Sequence, residues 1–140
     1  NDEWMRAKGF FEVTGMTARD LVAMGVSAEL FAVEASRPVE DAVRLMGEHD
    51  FSQISVTKSG RIIGSLNESH LYDQFIRDSS CKLEPVETIM QPAFPFVDIS
   101  TPVELISTMI THENPAVLVR DFKTEKTFII TRSDIIRVMM

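Results

Sequence analysis

The stretch Pro38-Val39-Glu40 recurs as Pro102-Val103-Glu104, at an offset of 64 positions along the chain. Each copy opens a segment in which apolar residues return every three or four positions, which is the period of a helix with one buried face. Ser36 and Ser100 stand two residues before the prolines, and their hydroxyls are predicted to cap the two helices. Because proline is tolerated at a helix start, the duplicated stretch predicts an internal repeat that begins each copy with a helix.

The residues around each predicted helix read as short strands separated by polar turns. A strand precedes the helix, two strands joined by a turn follow it, and a second helix closes the unit, which gives the order β-α-β-β-α twice. The predicted strands cover residues 30–33, 53–56, 61–66, 96–99, 116–119 and 127–130, and the closing helices cover residues 68–76 and 132–139. One unit of this size is marginal alone, so we predict an α+β fold in which two repeats bury their bare sheet faces together with pseudo-twofold symmetry and clefts between them.

The composition of the chain argues against several classes of protein. The chain has 140 residues, a formal net charge of −7, scattered basic residues and a single cysteine, Cys81. The acidic balance argues against binding nucleic acid or an anionic membrane, and one cysteine allows no internal disulfide. We find no apolar run of membrane-spanning length and no signal peptide pattern, so a cytoplasmic location is predicted. Because residue 1 is Asn, we expect the chain to be a piece of a longer protein.

Two segments at strand-to-helix junctions carry a family resemblance. Gly64-Ser65-Leu66 in the first copy and residues 129–135 (Ile-Ile-Thr-Arg-Ser-Asp-Ile) in the second resemble the end of a CBS repeat, where a small-apolar-apolar-Thr/Ser-x-x-Asp signature enters the last helix. With the duplicated order of elements, the chain resembles a tandem CBS pair over residues 16–140. The expected domains are a linker helix from a missing upstream catalytic domain (1–25), CBS repeat 1 (26–77), a linker (78–86) and CBS repeat 2 (87–140).

A narrower resemblance concerns the protein from which this module comes. Residues 2–10 look like the joint that follows the catalytic domain of cystathionine β-synthase, with Trp4, Met5, Phe10 and Phe11 as apolar anchors. Residues 51–54 and 90–95 are similar to the regulatory C-terminal region of those enzymes, especially the bacterial ones. The resemblance implies that an attached PLP-dependent domain is the enzyme, and that this regulatory fragment has no catalytic residue and no cofactor of its own.

The CBS resemblance also implies a ligand, namely an adenosyl compound such as AMP, ATP or S-adenosylmethionine in the cleft between repeats. A carboxylate can accept hydrogen bonds from both ribose hydroxyls, and a helix start beside it favours an anionic group. Thr131 and Asp134, three residues apart, supply such a hydroxyl and carboxylate in the second repeat. The same two residues also fit a helix capping box, and the two roles are compatible.

By resemblance, the first repeat completes this cleft, with Phe51 stacking on adenine or simply packing in the core. The implied ligand-binding residues are Leu30, Phe31, Phe51, Ser52, Gln53, Ile54, Ile129, Thr131, Ser133 and Asp134. In the symmetry-related cleft, Asn67 and His70 replace the Thr and Asp of the pattern. We therefore expect that cleft to be weaker, selective or empty. The residues around it are Asn67, His70, Phe96, Asn114, Pro115 and Ala116.

Three functions remain open on the sequence. The first is a regulatory module that binds a small adenosyl ligand and modulates its own catalytic domain. The second is a structural dimerisation or docking module with ligand-free clefts, and homodimerisation through the last helices is expected by resemblance in either case. The third, an independent enzyme, lacks a recognisable nucleophile, and His49, His70 and His112 have no metal-ligand spacing with Cys81.

Overall fold

The computed structural model describes residues 15–140 of the chain. The predicted anchors Trp4, Met5, Phe10 and Phe11 and the predicted joint at residues 2–10 lie outside the described residues. The helices are α1 (Ala18–Ala23), α2 (Val39–His49), α3 (Glu68–Arg77), α4 (Val103–Met109) and α5 (Arg132–Met139). The strands are β1 (Ala28–Glu29), β2 (Ala32–Glu34), β3 (Gln53–Lys58), β4 (Arg61–Asn67), β5 (Phe96–Val97), β6 (Ala116–Asp121) and β7 (Lys126–Thr131).

The predicted α+β class is confirmed, and each half of the chain has the predicted order β-α-β-β-α. The caps of α2 and α4 differ from the prediction, because Pro38 and Pro102 occupy the N-cap positions themselves. Ser100 instead donates its backbone and hydroxyl hydrogens to the Asp98 carboxylate in the turn before the helix. The first helical amides find other acceptors, since Val39 donates to the Glu84 carbonyl and Val103 to the Met16 carbonyl, both at 2.9 Å, so neither helix needs a serine hydroxyl for them.

The packing groups the chain differently from the predicted domain boundaries. One compact unit is Phe31–Phe94, and the other combines residues 15–30 with Pro95–Met140. Strand β1 pairs antiparallel with β7 in the second unit, and the Ala18 amide donates to the Thr101 carbonyl at 2.9 Å. Residues 26–30 therefore pair with the second half of the sequence, because the free edge of β7 needs a partner strand.

The unit Phe31–Phe94 contains a three-stranded sheet in the order β2-β3-β4. Strands β2 and β3 are parallel, while β3 and β4 form the predicted antiparallel hairpin, whose turn places Ser59 and Gly60 at positive φ. Helices α2 and α3 supply the other side of the core. The buried core residues are Val33, Ala35, Val39, Ala42, Met46, Ile54, Val56, Leu66, Leu71 and Val86.

The segment predicted as a plain linker is part of this unit. Residues Ser79–Leu83 and Val86–Thr88 form two short 3₁₀ helices, and Cys81 and Val86 are buried. The chain then runs along the outer edge of β4, where Ser65 and Gln91 exchange two backbone hydrogen bonds of 2.9 Å. A Cβ on Gly64 would collide with the Met90 sulfur and lie 2.9 Å from the Gln91 carbonyl oxygen. Glycine is therefore required at this position for the close approach of residues 90–91.

The second unit contains a four-stranded sheet in the order β1-β7-β6-β5. Strands β6 and β7 form the second predicted hairpin, and β5 runs parallel to β6. Helix α1 is part of this core and does not form the separate linker helix that was predicted, because Ala18 and Leu21 are fully buried. The other buried core residues are Val103, Ile106, Val117, Val119, Ile130 and Ile135.

Candidate functional site

The start of helix α5 holds the predicted hydroxyl and carboxylate. Strand β7 ends at Thr131, whose extended backbone (φ −118°, ψ 171°) makes it the N-cap of the helix. The Thr131 amide donates to Asp134 Oδ2 at 3.0 Å, which is the carboxylate half of a capping box. The Thr131 hydroxyl lies 3.0 Å from the Ser133 hydroxyl. The sequence allowed Thr131 and Asp134 either to cap the helix or to bind a ligand, and the structure shows the capping role.

The Asp134 carboxyl group is buried and already has partners within its own unit. Its side chain is 7 % exposed, and Oδ2 also accepts a long 3.4 Å hydrogen bond from the Ser27 hydroxyl. The other oxygen, Oδ1, lies 3.6 Å from the exposed Arg137 guanidinium. Burial raises the pKa of the Asp134 carboxyl above its ordinary value, although the Thr131 amide and the Arg137 charge act in the opposite direction. Within residues 15–140, this ion pair is the one polar contact of Oδ1, whereas Oδ2 accepts two hydrogen bonds.

Ser27 is a contributor that the sequence analysis missed. It is 4 % exposed and lies 107 positions from Asp134 along the chain. It reaches the carboxylate because β1, which follows it directly, pairs with β7. No local motif links two residues so distant in sequence, and the only available signal was a small polar residue just before a predicted strand.

The groups around Asp134 that face solvent have the chemistry of an anion site. Arg132 and Ser133 are exposed in the first turn of α5, and Thr131 is half-buried. The free amides of a helix start and an adjacent guanidinium favour a phosphate or carboxylate. Leu30 and Ile129 belong to the same unit: Leu30 donates its amide to the Thr127 carbonyl at 2.8 Å, and Ile129 is paired with Ala28.

The remaining predicted binding residues lie in the unit Phe31–Phe94. The rings of Phe31 and Phe51 are in contact, with centroids 4.9 Å apart, and both are half-buried against the core. Ser52 is exposed and Gln53 is half-buried at the start of β3. Ile54 is fully buried in the core, so a ligand could reach only its backbone. The core-packing role that the sequence left open for Phe51 is therefore present in the structure.

The Asn67 and His70 pair makes internal contacts with the segment at residues 89–91. Asn67 caps α3 by accepting from the His70 amide at 2.9 Å, and its amide group donates to Gln91 Oε1 at 2.8 Å. His70 Nε2 lies 2.5 Å from the Ile89 carbonyl oxygen, so this ring nitrogen carries the hydrogen. Both polar side chains are thus satisfied by their own unit.

The other residues predicted around the second cleft belong to the unit that contains Pro95–Met140. Phe96 is half exposed at β5, with 52 % of its surface accessible. Asn114 closes a turn, since its amide donates to the Thr111 hydroxyl at 3.0 Å and its side chain donates to the Met109 carbonyl at 3.1 Å. Pro115 is half-buried and Ala116 is fully buried.

A shallow groove of about 440 Å³ lies elsewhere, beside the outer edge of β2 and helix α2. Its lining is mixed in charge, and Asp41 forms ion pairs of 2.8 Å with Arg37 and 3.3 Å with Arg44. None of the predicted ligand-binding residues lines this groove. Its opposing charges already pair with each other, so we place the candidate site at the start of α5.

Two properties of residues 15–140 bear on the chemistry of the site. Within that range, no cluster of three or more His, Cys, Asp or Glu side chains is arranged to hold a metal ion. In the same part of the chain, no helix is long and apolar enough to cross a membrane.

Comparison with known proteins gives a consistent result. The CBS domain family matches residues 18–76. The fold matches a hemolysin-like CBS protein from Oenococcus oeni PSU, at 23 % identity and a TM-score of 0.73, covering 96 % of this chain and 97 % of that one. It also matches the CBS domain of a bacterial CNNM/CorC family Mg²⁺ transporter in complex with ATP, at 19 % identity and a TM-score of 0.75, covering 99 % and 97 %.

A CBS-domain protein from Agrobacterium tumefaciens is similar at 17 % identity and a TM-score of 0.76, covering 90 % of this chain and 96 % of that one. No curated protein sequence matches the chain. At these identities the structural matches establish the fold alone. The CBS domain family thus matches residues 18–76, and the chain has the fold of CBS-domain proteins.

Proposed function

We propose that this protein is a tandem CBS regulatory module that binds an adenosyl compound, with Thr131, Ser133 and Asp134 contacting the ribose or phosphate. The observation that carries the proposal is the strand-to-helix junction at residue 131, where two hydroxyls and a carboxylate adjoin an accessible helix start. The solved relative with ATP supports the class of ligand. Binding would regulate an attached domain only if the ligand favours one arrangement of the protein over another.

We infer that one junction, and not both, recognises the ligand. The junction at Asn67 offers no carboxylate for two ribose hydroxyls, and its polar side chains are bonded to residues 89–91. A ligand there would have to displace those contacts, which costs up to about 1–3 kcal/mol for each half-buried polar group left unpaired. Among the described residues, Asp134 Oδ1 has a single polar contact, the 3.6 Å ion pair with Arg137, and a ligand can exchange this contact more easily.

A ligand-free structural role is the second candidate, and a specific observation favours it. The Asp134 carboxyl is buried and accepts the Thr131 amide, which is sufficient reason for an acidic residue at this position. Under this alternative, the junction stabilises α5 and the module serves as a docking or dimerisation unit. The two candidates differ in one measurable property, which is whether an adenosyl compound binds at all.

We propose that the module forms homodimers through its last helices. Tyr72 and Ile76 on α3 are 67 % and 70 % exposed, and Ile136 and Met139 on α5 are 52 % and 67 % exposed. Tyr72 and Ile136 occupy equivalent positions of the two repeats, 64 residues apart. A repeated apolar helix face suits a self-complementary surface, because a twofold dimer uses the same patch on both subunits.

The attachment of this module to a PLP-dependent, cystathionine β-synthase-like domain is proposed from the sequence resemblance of residues 2–10, 51–54 and 90–95. S-adenosylmethionine as the ligand follows from that resemblance, whereas AMP and ATP follow from the wider CBS fold. A cytoplasmic location and a cleft between the repeats likewise stay predictions.

Isothermal titration with AMP, ATP and S-adenosylmethionine tests the ligand proposal. We expect at least one compound to bind the wild-type chain and Asp134→Ala to weaken its affinity by about 10- to 150-fold, since a hydrogen bond to a charged group contributes about 1.5–3 kcal/mol. Asn67→Ala is the matched control, because it removes the equivalent helix cap from the other repeat, and it should change the affinity less than about threefold. Thermal melts of all three proteins show whether each variant is folded.

Two results would contradict the proposal. Absence of binding by the wild-type chain to all three compounds would leave the structural role. Equal affinities of wild type and folded Asp134→Ala would show that the ligand binds elsewhere.

A further inference from the structure

The exposed charges on α5 are opposite in sign to those at the equivalent positions of α3. Arg132 and Arg137 are both exposed on α5. The residues 64 positions earlier, Glu68 and Asp73, are exposed on α3 and carry negative charge. The acidic residue of α5, Asp134, has a side chain that is 7 % exposed. The accessible charge around the start of α5 is therefore positive, although the whole chain has a formal net charge of −7.

Helix stability explains the acidic residue at the start of α3 but not the basic residue at the start of α5. The backbone amides of a helix start carry a partial positive charge, which an acidic side chain stabilises and a basic one does not. Glu68 in the first turn of α3 follows this preference. Arg132 is the first residue of α5, and it forms no ion pair with a carboxylate of residues 15–140. Its charge is thus available to a ligand.

Arg137 is held beside the Asp134 carboxylate by two long contacts. Its guanidinium lies 3.6 Å from Asp134 Oδ1 and donates a 3.4 Å hydrogen bond to the Val26 carbonyl. Both distances exceed the roughly 2.7–2.9 Å of a strong charge-assisted hydrogen bond. Because the side chain is 63 % exposed and a guanidinium has several N–H donors, Arg137 keeps donors for a further acceptor. It can bind an anion without losing a strong contact.

We infer that Arg137, supported by the charge of Arg132, makes the start of α5 selective for adenosyl ligands with an anionic 5′ substituent, namely AMP and ATP, over S-adenosylmethionine. This inference rests on the proposed function, in which Asp134 contacts the ribose. The 5′ substituent is attached to the same sugar, and Arg137 adjoins the carboxylate at Oδ1. A guanidinium pairs with two phosphate oxygens through parallel hydrogen bonds. S-adenosylmethionine has a sulfonium cation at the 5′ position, which the guanidinium repels.

Isothermal titration with AMP, adenosine and S-adenosylmethionine compares wild type with Arg137→Gln and Arg137→Lys. Arg137→Gln removes the charge and should weaken AMP binding by about 5- to 12-fold, between the effects of an exposed ion pair and of a charge-assisted hydrogen bond. Adenosine has no phosphate, so the same substitution should change its affinity by less than about twofold. Arg137→Lys keeps the charge without the planar fork and should lose less AMP affinity than Arg137→Gln.

Arg44→Gln is the matched control. Arg44 is also 63 % exposed, and it also forms an ion pair with an aspartate three residues earlier in a helix, at 3.3 Å from Asp41. It belongs to the other compact unit and to none of the predicted ligand-binding residues. Arg44→Gln should therefore leave the affinities for all three compounds unchanged.

Three results would overturn this inference while the proposed function stands. The first is equal AMP affinity of wild type and Arg137→Gln. The second is an equal loss of adenosine and AMP affinity in Arg137→Gln, which would mean that Arg137 acts only through the Asp134 carboxylate. The third is a wild-type chain that binds S-adenosylmethionine at least as tightly as AMP. A wild-type chain that binds no AMP, ATP or S-adenosylmethionine would overturn both the inference and the proposed function.

Discussion

Gly64 provides a quantitative test of the contact between β4 and residues 90–91. Replacing Gly64 with Ala adds one methyl group where the Met90 side chain and the Gln91 carbonyl already touch the glycine. The Met90 sulfur can move because it ends a flexible side chain. The Gln91 carbonyl oxygen, 2.9 Å from the new atom, belongs to backbone that exchanges two hydrogen bonds with Ser65, so relief of the collision must stretch that pairing.

The expected loss of stability follows from this geometry. Overpacking costs about 1–3 kcal/mol, and weakening the two backbone hydrogen bonds adds up to about 1 kcal/mol for each one lost. We therefore expect Gly64→Ala to lower the free energy of unfolding by about 1–5 kcal/mol, measured by urea denaturation followed by circular dichroism. A shift in the urea midpoint without a change in slope would show that stability, and not the compactness of either state, has changed.

Gly47→Ala is the matched control for this substitution. Gly47 lies inside helix α2, and a Cβ there would meet no atom of residues 15–140 within 4 Å beyond the helix's own backbone. Because alanine is the better helix former, Gly47→Ala should raise the free energy of unfolding by about 0.5–1 kcal/mol. Combining Gly64→Ala with Met90→Ala should recover only part of the loss, since the Gln91 carbonyl stays in place. A Gly64→Ala protein as stable as wild type would refute the close approach of residues 90–91.

Three further predictions concern the helix starts and the exposed helix faces. Because burial raises the pKa of Asp134, the stability of wild type relative to Asp134→Asn should fall as the pH rises from about 4 through that raised pKa. Urea denaturation at several pH values measures this difference in stability. A difference that stays constant with pH would contradict the prediction. Asn67→Ala should destabilise the protein by about 1–2 kcal/mol in thermal melts, through loss of the cap on α3 and of the Gln91 contact, whereas Asn67→Asp keeps the cap and should lose less. The double substitution Tyr72→Glu with Ile136→Glu places charges on the exposed helix faces and should shift the protein from dimer to monomer in light scattering. The circular dichroism spectrum should stay unchanged. An unchanged mass would exclude these faces from the dimer interface.

Several features of this protein could be predicted from the sequence by itself. The repeat of Pro38-Val39-Glu40 at a fixed offset predicted the duplicated order β-α-β-β-α, because helical and strand periods are local properties of the chain. The Thr131 and Asp134 spacing predicted their meeting at one helix start, since residues three apart across an N-cap are neighbours in any such helix. The missing carboxylate at His70 was equally visible in the sequence.

Other features were decided only by the tertiary structure. The pairing of β1 with β7, which assigns residues 15–30 to the second half of the chain, joins segments about 100 positions apart, and a two-residue strand carries no signal for its partner. The same pairing brings Ser27 to Asp134 and buries the carboxylate, which raises its pKa. The contact of His49 with Phe31 likewise depends on how α2 packs beside β2. Periodicity specifies which elements form, whereas the edges and faces that need covering determine which distant residues meet.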